Sequence, residues 1–254
     1  MWHVGVAGDP VDHSLSPLLQ QRALDYLGLA GETCRLQTRT TRDVADFLAG
    51  EGFRALSITT PLKESMVQAC DRIDDIAARV GAVNSVIRRD GEILGRNVDG
   101  EGLVQALETL TGVSATGCEV IVLGGGGAAR SCVAALQSHG AEVTVVTRRP
   151  LSPASWSRGA RLSNSFDIPR TTAWIINATS STLTGQQVAL GSGGPDSAVA
   201  MDLSYGRPSS FLDDCASRGW ETFDGLAMLH FQAKLQFEWW FEQEIDLQVL
   251  GWSL

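Results

Sequence analysis

Apolar and polar positions along the chain switch repeatedly between a two-residue and a helical period, strand then helix, which is the pattern of an α/β protein. Residues 2–7 read as a first strand and 8–17 as a loop. A helix follows at about 17–28, with Ser16 as its N-cap and Pro17 at the first helical position. A second strand is expected at 33–39, a helix at 42–50 and a short apolar strand at 54–59, which Pro61 stops before a further helix from about 63. Residues 83–97 read as a β-hairpin turning at Asp90-Gly91. After a helix at about 100–111 the character changes: Val120–Leu123 is a buried strand opening into four glycines, and helix 128–138 with strand 142–147 completes a βαβ unit. Strands at 173–177 and 198–203 extend that sheet. The glycine-rich polar stretch 184–197 is expected to be a mobile loop, and a long amphipathic stretch runs from about 226 to 250.

Composition narrows the class. Twenty basic against twenty-nine acidic residues give a formal charge of −9 over 254 residues, which argues against nucleic acid as a partner because phosphate contacts need a basic face. With 44% hydrophobic and 19% charged residues the chain can bury a real core. No basic segment leads into an apolar run at the start, and no apolar stretch is long enough to span a bilayer, so neither a signal peptide nor a membrane partner is expected. Five cysteines without a CxxC pair suggest neither a metal site nor a disulfide framework, and a reduced, cytoplasmic location fits best. Only two of the twenty basic residues, Lys63 and Lys234, are lysines, the cations that can titrate as acid or base.

Between strand and helix, Gly124-Gly125-Gly126-Gly127-Ala128-Ala129 fits G-x-G-x-x-G/A. In that context Gly124, Gly126, Gly127 and Ala128 let the backbone turn tightly and approach a pyrophosphate at a helix N-terminus. Where an NAD site carries an acidic residue for the ribose, this chain has Thr147-Arg148-Arg149. Two guanidiniums without a carboxylate favour a 2′-phosphate, so NADP is the expected cofactor. The expected fold is α/β in two domains. A mixed α/β substrate-binding domain takes residues 1–101 plus 226–254, with the C-terminal helix packing back on it, and a Rossmann-like NADP domain takes 102–225.

Nine segments then form a pattern: Gly8–Pro17, Ser57–Lys63, Gly81–Ser85, Gly95–Gly102, Gly124–Arg130, Asn177–Ser180, Asp202–Tyr205, Gly225–Leu229 and Phe231–Ala233. In order and spacing they resemble the shikimate dehydrogenase family over nearly the whole chain. The resemblance implies reversible NADP-linked reduction of 3-dehydroshikimate to shikimate, a step of aromatic amino-acid biosynthesis. It places Lys63 and its partner Asp99 at the chemistry, and Ser14 and Ser16 on the substrate carboxylate with Tyr205 near it. It puts Thr59, Asn84, Asp99 and Gln232 on the substrate hydroxyls, and the Gly225 backbone and Met228 near the nicotinamide. The chemistry is consistent: hydride transfer at a carbinol carbon needs a proton at the oxygen, which a positioned ammonium supplies.

The chain departs from the family pattern at Ser57, where asparagine is usual, at Val98 for threonine, and at Thr182-Leu183 for Gly-Met. Ser57 and Thr182 also fit a relative acting on quinate or an amino-shikimate. A reading from another class is an NADP-binding regulator without catalysis, against which the retention of Lys63 and Asp99 speaks. The aromatic run Leu235–Phe241 is expected to pack on the core, with a homodimer face as the alternative.

Overall fold

The computed structural model describes residues 1–149, 152 and 154–253. The chain forms two compact units, Met1–Gly102 with His230–Leu254, and Leu103–Leu229.

The first unit contains β1 (Trp2–Gly8), α1 (Ser16–Tyr26), β2 (Gly31–Gln37), α2 (Thr41–Leu48), β3 (Phe53–Ile58), α3 (Met66–Ala69), β4 (Arg72–Ile73), α4 (Asp75–Val80), β5 (Ser85–Arg89) and β6 (Glu92–Arg96), followed by the start of α5 (Asp99–Thr111). Its sheet has the order β2-β1-β3-β5-β6-β4. β1 runs parallel to β2 and β3, whereas β5 is antiparallel to β3 and β6. That reversal decides where the chemistry sits. Ser57 faces Ser85, which faces Arg96, so the carboxyl ends of β1, β3 and β6 share one edge of the sheet with the amino end of β5. The hairpin forms at the expected Asp90-Gly91, both with positive φ (50° and 87°), as a two-residue turn between twisted strands requires. One core cluster joins Leu56, Ile58, Val83 and Val86 to Val44 and Leu48 of α2.

The second unit carries the rest of α5, then β7 (Glu119–Leu123), α6 (Gly127–Ser138), β8 (Glu142–Val146), a 3-10 turn at Ser155–Ser157, β9 (Arg161–Ser163), β10 (Thr172–Asn177), α7 (Ser181–Thr184), β11 (Val199–Asp202), α8 (Ser210–Ser217), β12 (Glu221–Phe223) and the start of α9 (Leu226–Phe241). Its sheet is parallel throughout, in the order β12-β11-β10-β7-β8-β9. The order reverses between β7 and β10, the topological position at which such sheets open a crevice beyond their carboxyl ends.

Four sequence expectations are corrected. Ser16 is the first residue of α1 and not its N-cap; Leu15 holds that position with helical backbone and no side-chain cap, because the turn begins one residue early. No helix starts at 63: the Lys63 carbonyl accepts the Val83 N–H at 2.8 Å, which takes it out of a helical ladder, and only the short α3 forms. The 184–197 stretch is anchored over residues 190–195, while 184–187 stay exposed. Arg218 Nη1 donates to the Gly191 and Gly193 carbonyls, Trp220 Nε1 donates to Pro195 O, and Leu190 is buried in the unit's core. Finally, α9 ends at Phe241, where Glu242 turns left-handed (φ 55°), and none of its residues is fully exposed, so it is not amphipathic. Its aromatic run serves the core of the first unit: Phe237, Trp240 and Phe241 are buried, and Trp240 Nε1 donates to Ser85 Oγ at 2.9 Å. Among the described residues no helix is long and apolar enough to cross a membrane.

Candidate active site

At the sheet edge of the first unit three predicted residues form one hydrogen-bonded chain. Lys63 follows β3 and Asp99 opens α5, 36 residues later, yet Lys63 Nζ donates to Asp99 Oδ2 at 2.6 Å. Asn84, just before β5, donates from Nδ2 to Asp99 Oδ1 at 2.7 Å. Asn84 Oδ1 in turn accepts the Val98 N–H at 2.9 Å, which fixes the sense of the amide. The Asp99 side chain is 3% exposed and that of Lys63 19%, so the carboxylate is out of water while the ammonium retains access. A buried carboxylate needs partners, and here both oxygens have one. Asn97 supplies a further support, accepting the Asp99 N–H at 3.2 Å and donating to Ala82 O at 2.8 Å.

The other first-unit residues border this chain. Thr59 closes the turn that presents Lys63, its carbonyl accepting the Leu62 N–H at 2.9 Å. The loops after β1 and β3 lie together, with Asp9 N–H donating to Thr60 O and a Cβ on Gly8 excluded by Thr59 Cγ2 at 2.4 Å. Within the first loop Ser14 Oγ donates to Ser16 Oγ at 3.2 Å, and Arg35 Nη2 holds the Ser14 carbonyl at 2.9 Å. Because Ser16 does not cap α1, its hydroxyl is not committed to the helix terminus. Gln232 is brought to α5 by Gly102, where a Cβ would stand 2.8 Å from Gln232 N and 3.0 Å from its Cα. Glycine at 102 is thus a matter of close approach. The Asp9 carboxyl is held below its usual range by hydrogen bonds from Arg39 and Gln37.

In the second unit the glycine loop lies at the β7–β10 reversal. Gly124 has φ 117°, and a Cβ there would come within 3.0 Å of Ala178 O, so the chain passes closely between the two strand ends. Gly126 is exposed with nothing within 4 Å of where a Cβ would be, and no side chain caps α6 behind it. That is an open cradle of backbone at a twelve-residue helix N-terminus, which fits a pyrophosphate. Gly124 N–H donates to Val146 O at 2.9 Å, so the end of β8, with Thr147 and the exposed Arg148 and Arg149, is joined directly to this loop. The donor set therefore fits a dinucleotide with an additional phosphate. Gly225 packs on Leu203, whose carbonyl would lie 2.1 Å from a Cβ, and Met228 is buried one turn into α9. Tyr205, half-buried, follows β11 in this unit, whereas Ser14 and Ser16 belong to the first.

Comparison with known proteins gives the same direction. A family model described as the shikimate dehydrogenase substrate binding domain matches residues 6–86. A shikimate dehydrogenase (NADP(+)) from Jannaschia sp. is 36% identical over 253 residues, covering 93% of this chain and 91% of the relative. One from Methanothrix thermoacetophila is 33% identical over 250 residues, covering 92% and 90%. The chain belongs to the shikimate dehydrogenase family. Among solved structures, the shikimate 5-dehydrogenase of Thermus thermophilus in complex with NADP(H) and shikimate superposes with a TM-score of 0.86 at 32% identity, over 98% of this chain and 97% of that one.

Within this shikimate dehydrogenase family member, sequence reasoning missed several supporting side chains. Asp202 is fully buried, and its carboxylate accepts from Asn177, Thr182, Ser209 and the Ser204 N–H at 2.6–2.9 Å. It thereby ties the loops after β10 and β11 together, and Thr182, a departure from the family pattern, is one of its donors. The side chain of Leu183, the other half of that departure, lies outside those described. Gln20 and Gln236 were also missed; the only sequence hint was that each stands one turn from a predicted site residue, Ser16 or Gln232. Burial pushes the Cys70 and Cys215 thiols up to about 12, which removes them as thiolate nucleophiles.

Proposed function

We propose that this chain is an NADP-dependent shikimate dehydrogenase, an oxidoreductase interconverting 3-dehydroshikimate and shikimate, with substrate held by the first unit and NADP by the second. The observation that carries the reading is the Lys63–Asp99–Asn84 chain, a solvent-accessible ammonium held on a buried, fully partnered carboxylate. Bound NADPH supplies the hydride. Lys63 donates a proton to the oxygen that becomes the hydroxyl, and in the reverse direction the same nitrogen receives it. Asp99 keeps the ammonium aimed, and Asn84 keeps Asp99 from turning. Ser14 and Ser16 donate hydroxyls to the substrate carboxylate, while Thr59, Gln232 and Tyr205 complete its polar surround. Gly124, Gly126, Gly127 and Ala128 would hold the pyrophosphate, and Gly225 and Met228 would border the nicotinamide.

The direct test is the rise of nicotinamide absorbance with NADP and shikimate, run in parallel with quinate and with NAD. Robust reduction with NADP and shikimate supports the reading. Activity confined to quinate would transfer it to that relative, and binding of NADP without turnover of any substrate would favour the regulator. The quinate alternative draws on Ser57, but that hydroxyl is buried and donates to Gln236 at 2.6 Å, so the shorter side chain already has a partner.

Thr147, Arg148 and Arg149 are proposed to read the 2′-phosphate. Both guanidiniums are exposed and therefore partly screened by salt. Exchanging both arginines for alanine is expected to raise KM for NADP about tenfold at low salt, the value of roughly one charge-assisted hydrogen bond, with KM for NAD unchanged. Steady-state kinetics with the two cofactors check this. The chain is proposed to work in the cytoplasm, and light scattering tests the homodimer alternative.

A further inference from the structure

We propose that Ser57 and Gln236 form a positioning pair that sets the rotation of α9 against β3 and so aims Gln232 at the substrate; the inference rests on the dehydrogenase reading above. Gln232 and Gln236 are one helical turn apart on the same face of α9. At Gln232 the helix meets α5 backbone to backbone at Gly102, with Phe231 and Ala233 buried on either side, and these contacts are non-directional. One turn on, Gln236 is 3% exposed, and its Oε1 accepts the Ser57 hydroxyl at 2.6 Å. Its Nε2 lies 3.5 Å from the Asn84 carbonyl, too long to carry the anchoring, so the Ser57 bond carries it.

Ser57 is itself held from behind. Gln20, fully buried on α1, donates from Nε2 to Ser57 Oγ at 3.3 Å and to Gly5 O at 2.8 Å, while its own Oε1 has no partner. Three buried polar side chains and an unsatisfied acceptor are a poor way to gain stability, because apolar residues would fill the same space without desolvation cost. What the arrangement does provide is a directional link from the β3 edge, next to Thr59, to the helix face that carries Gln232.

The experiment compares Ser57→Ala, Gln236→Leu and the double variant with wild type, measuring kinetics and thermal melts. Each single variant is expected to raise KM for shikimate about tenfold, the loss of about one substrate hydrogen bond, with kcat and KM for NADP within about twofold. The double variant should be no worse than either single, because both remove the same link. Ser57→Thr keeps the hydroxyl and should keep KM. Trp240→Phe, which removes the Trp240–Ser85 bond one further turn along α9, should lower Tm without raising KM. Variants that melt lower with KM unchanged, or a Trp240→Phe variant with an equal rise in KM, would overturn the positioning role. A wild type inert toward shikimate overturns the functional reading and this inference with it; an active wild type with unaffected variants overturns this inference alone.

Discussion

Replacing Lys63 by alanine lowers kcat for shikimate oxidation by about 10³-fold, within the range attributed to a positioned general acid or base. Its side chain is the cation joined to the buried Asp99, and the other member of that chain, Asn84, cannot take over the proton. The variant also loses stability. It leaves the Asp99 carboxylate, 3% exposed, with its Asn84 hydrogen bond but without the Lys63 charge, a lesion that costs about 3–5 kcal/mol when a buried pair loses one member. Binding of NADP is expected to stay within about twofold by calorimetry, since its proposed residues all belong to the second unit and Lys63 to the first. Partial recovery of rate on adding a small primary amine would mark the loss as chemical; full activity in the variant would remove Lys63 from the mechanism.

Asp99→Asn lowers kcat by about 10²-fold, with a smaller loss of stability. Asparagine preserves the shape, and its carbonyl can still accept from Asn84 Nδ2. Its amide then points two N–H donors at the Lys63 ammonium, which must turn away. Because Lys63 is 19% exposed, it can reach water and avoid most of the cost of an unpaired buried charge. The two members of the pair are therefore unequal: Lys63→Ala should melt well below Asp99→Asn although both are nearly inactive. Thermal melts beside steady-state rates check the order, and equal melting temperatures would contradict the burial argument.

The strands that were legible in the sequence are those with internal reasons to exist. β1, β3 and β7 are apolar runs that end in loop chemistry, and Asp90-Gly91 declares its turn. The glycine loop was legible because strand, glycines and helix follow directly. Elements that exist only through pairing were not: β4 has two residues, β9 and β12 three each, and each lies at a sheet edge beside one strand. α9 was read too long because its turn at Glu242 uses a residue type that seldom goes left-handed. Of the site, spacing alone could not join Lys63 to Asp99; the resemblance supplied the roles, and the antiparallel insertion of β5 and β6 supplies the contact. Gln20 and Gln236 escaped notice because a buried glutamine looks like any surface glutamine until its partners are known.

The division of the chain imposes an order on its making. Leu103–Leu229 is continuous, whereas the first unit waits for His230–Leu254. Chains emerge from the ribosome amino end first, and domains fold as units as they appear. The second unit thus has every strand in hand once Phe223 has emerged, while Lys63, Asn84 and Asp99 are still without the helix that brings Gln232 and Gln236. The half proposed for the cofactor is complete in sequence before the half proposed for the substrate, and a chain cut between residues 230 and 235 would hold its whole nucleotide sheet yet lack Gln236, its last polar anchor.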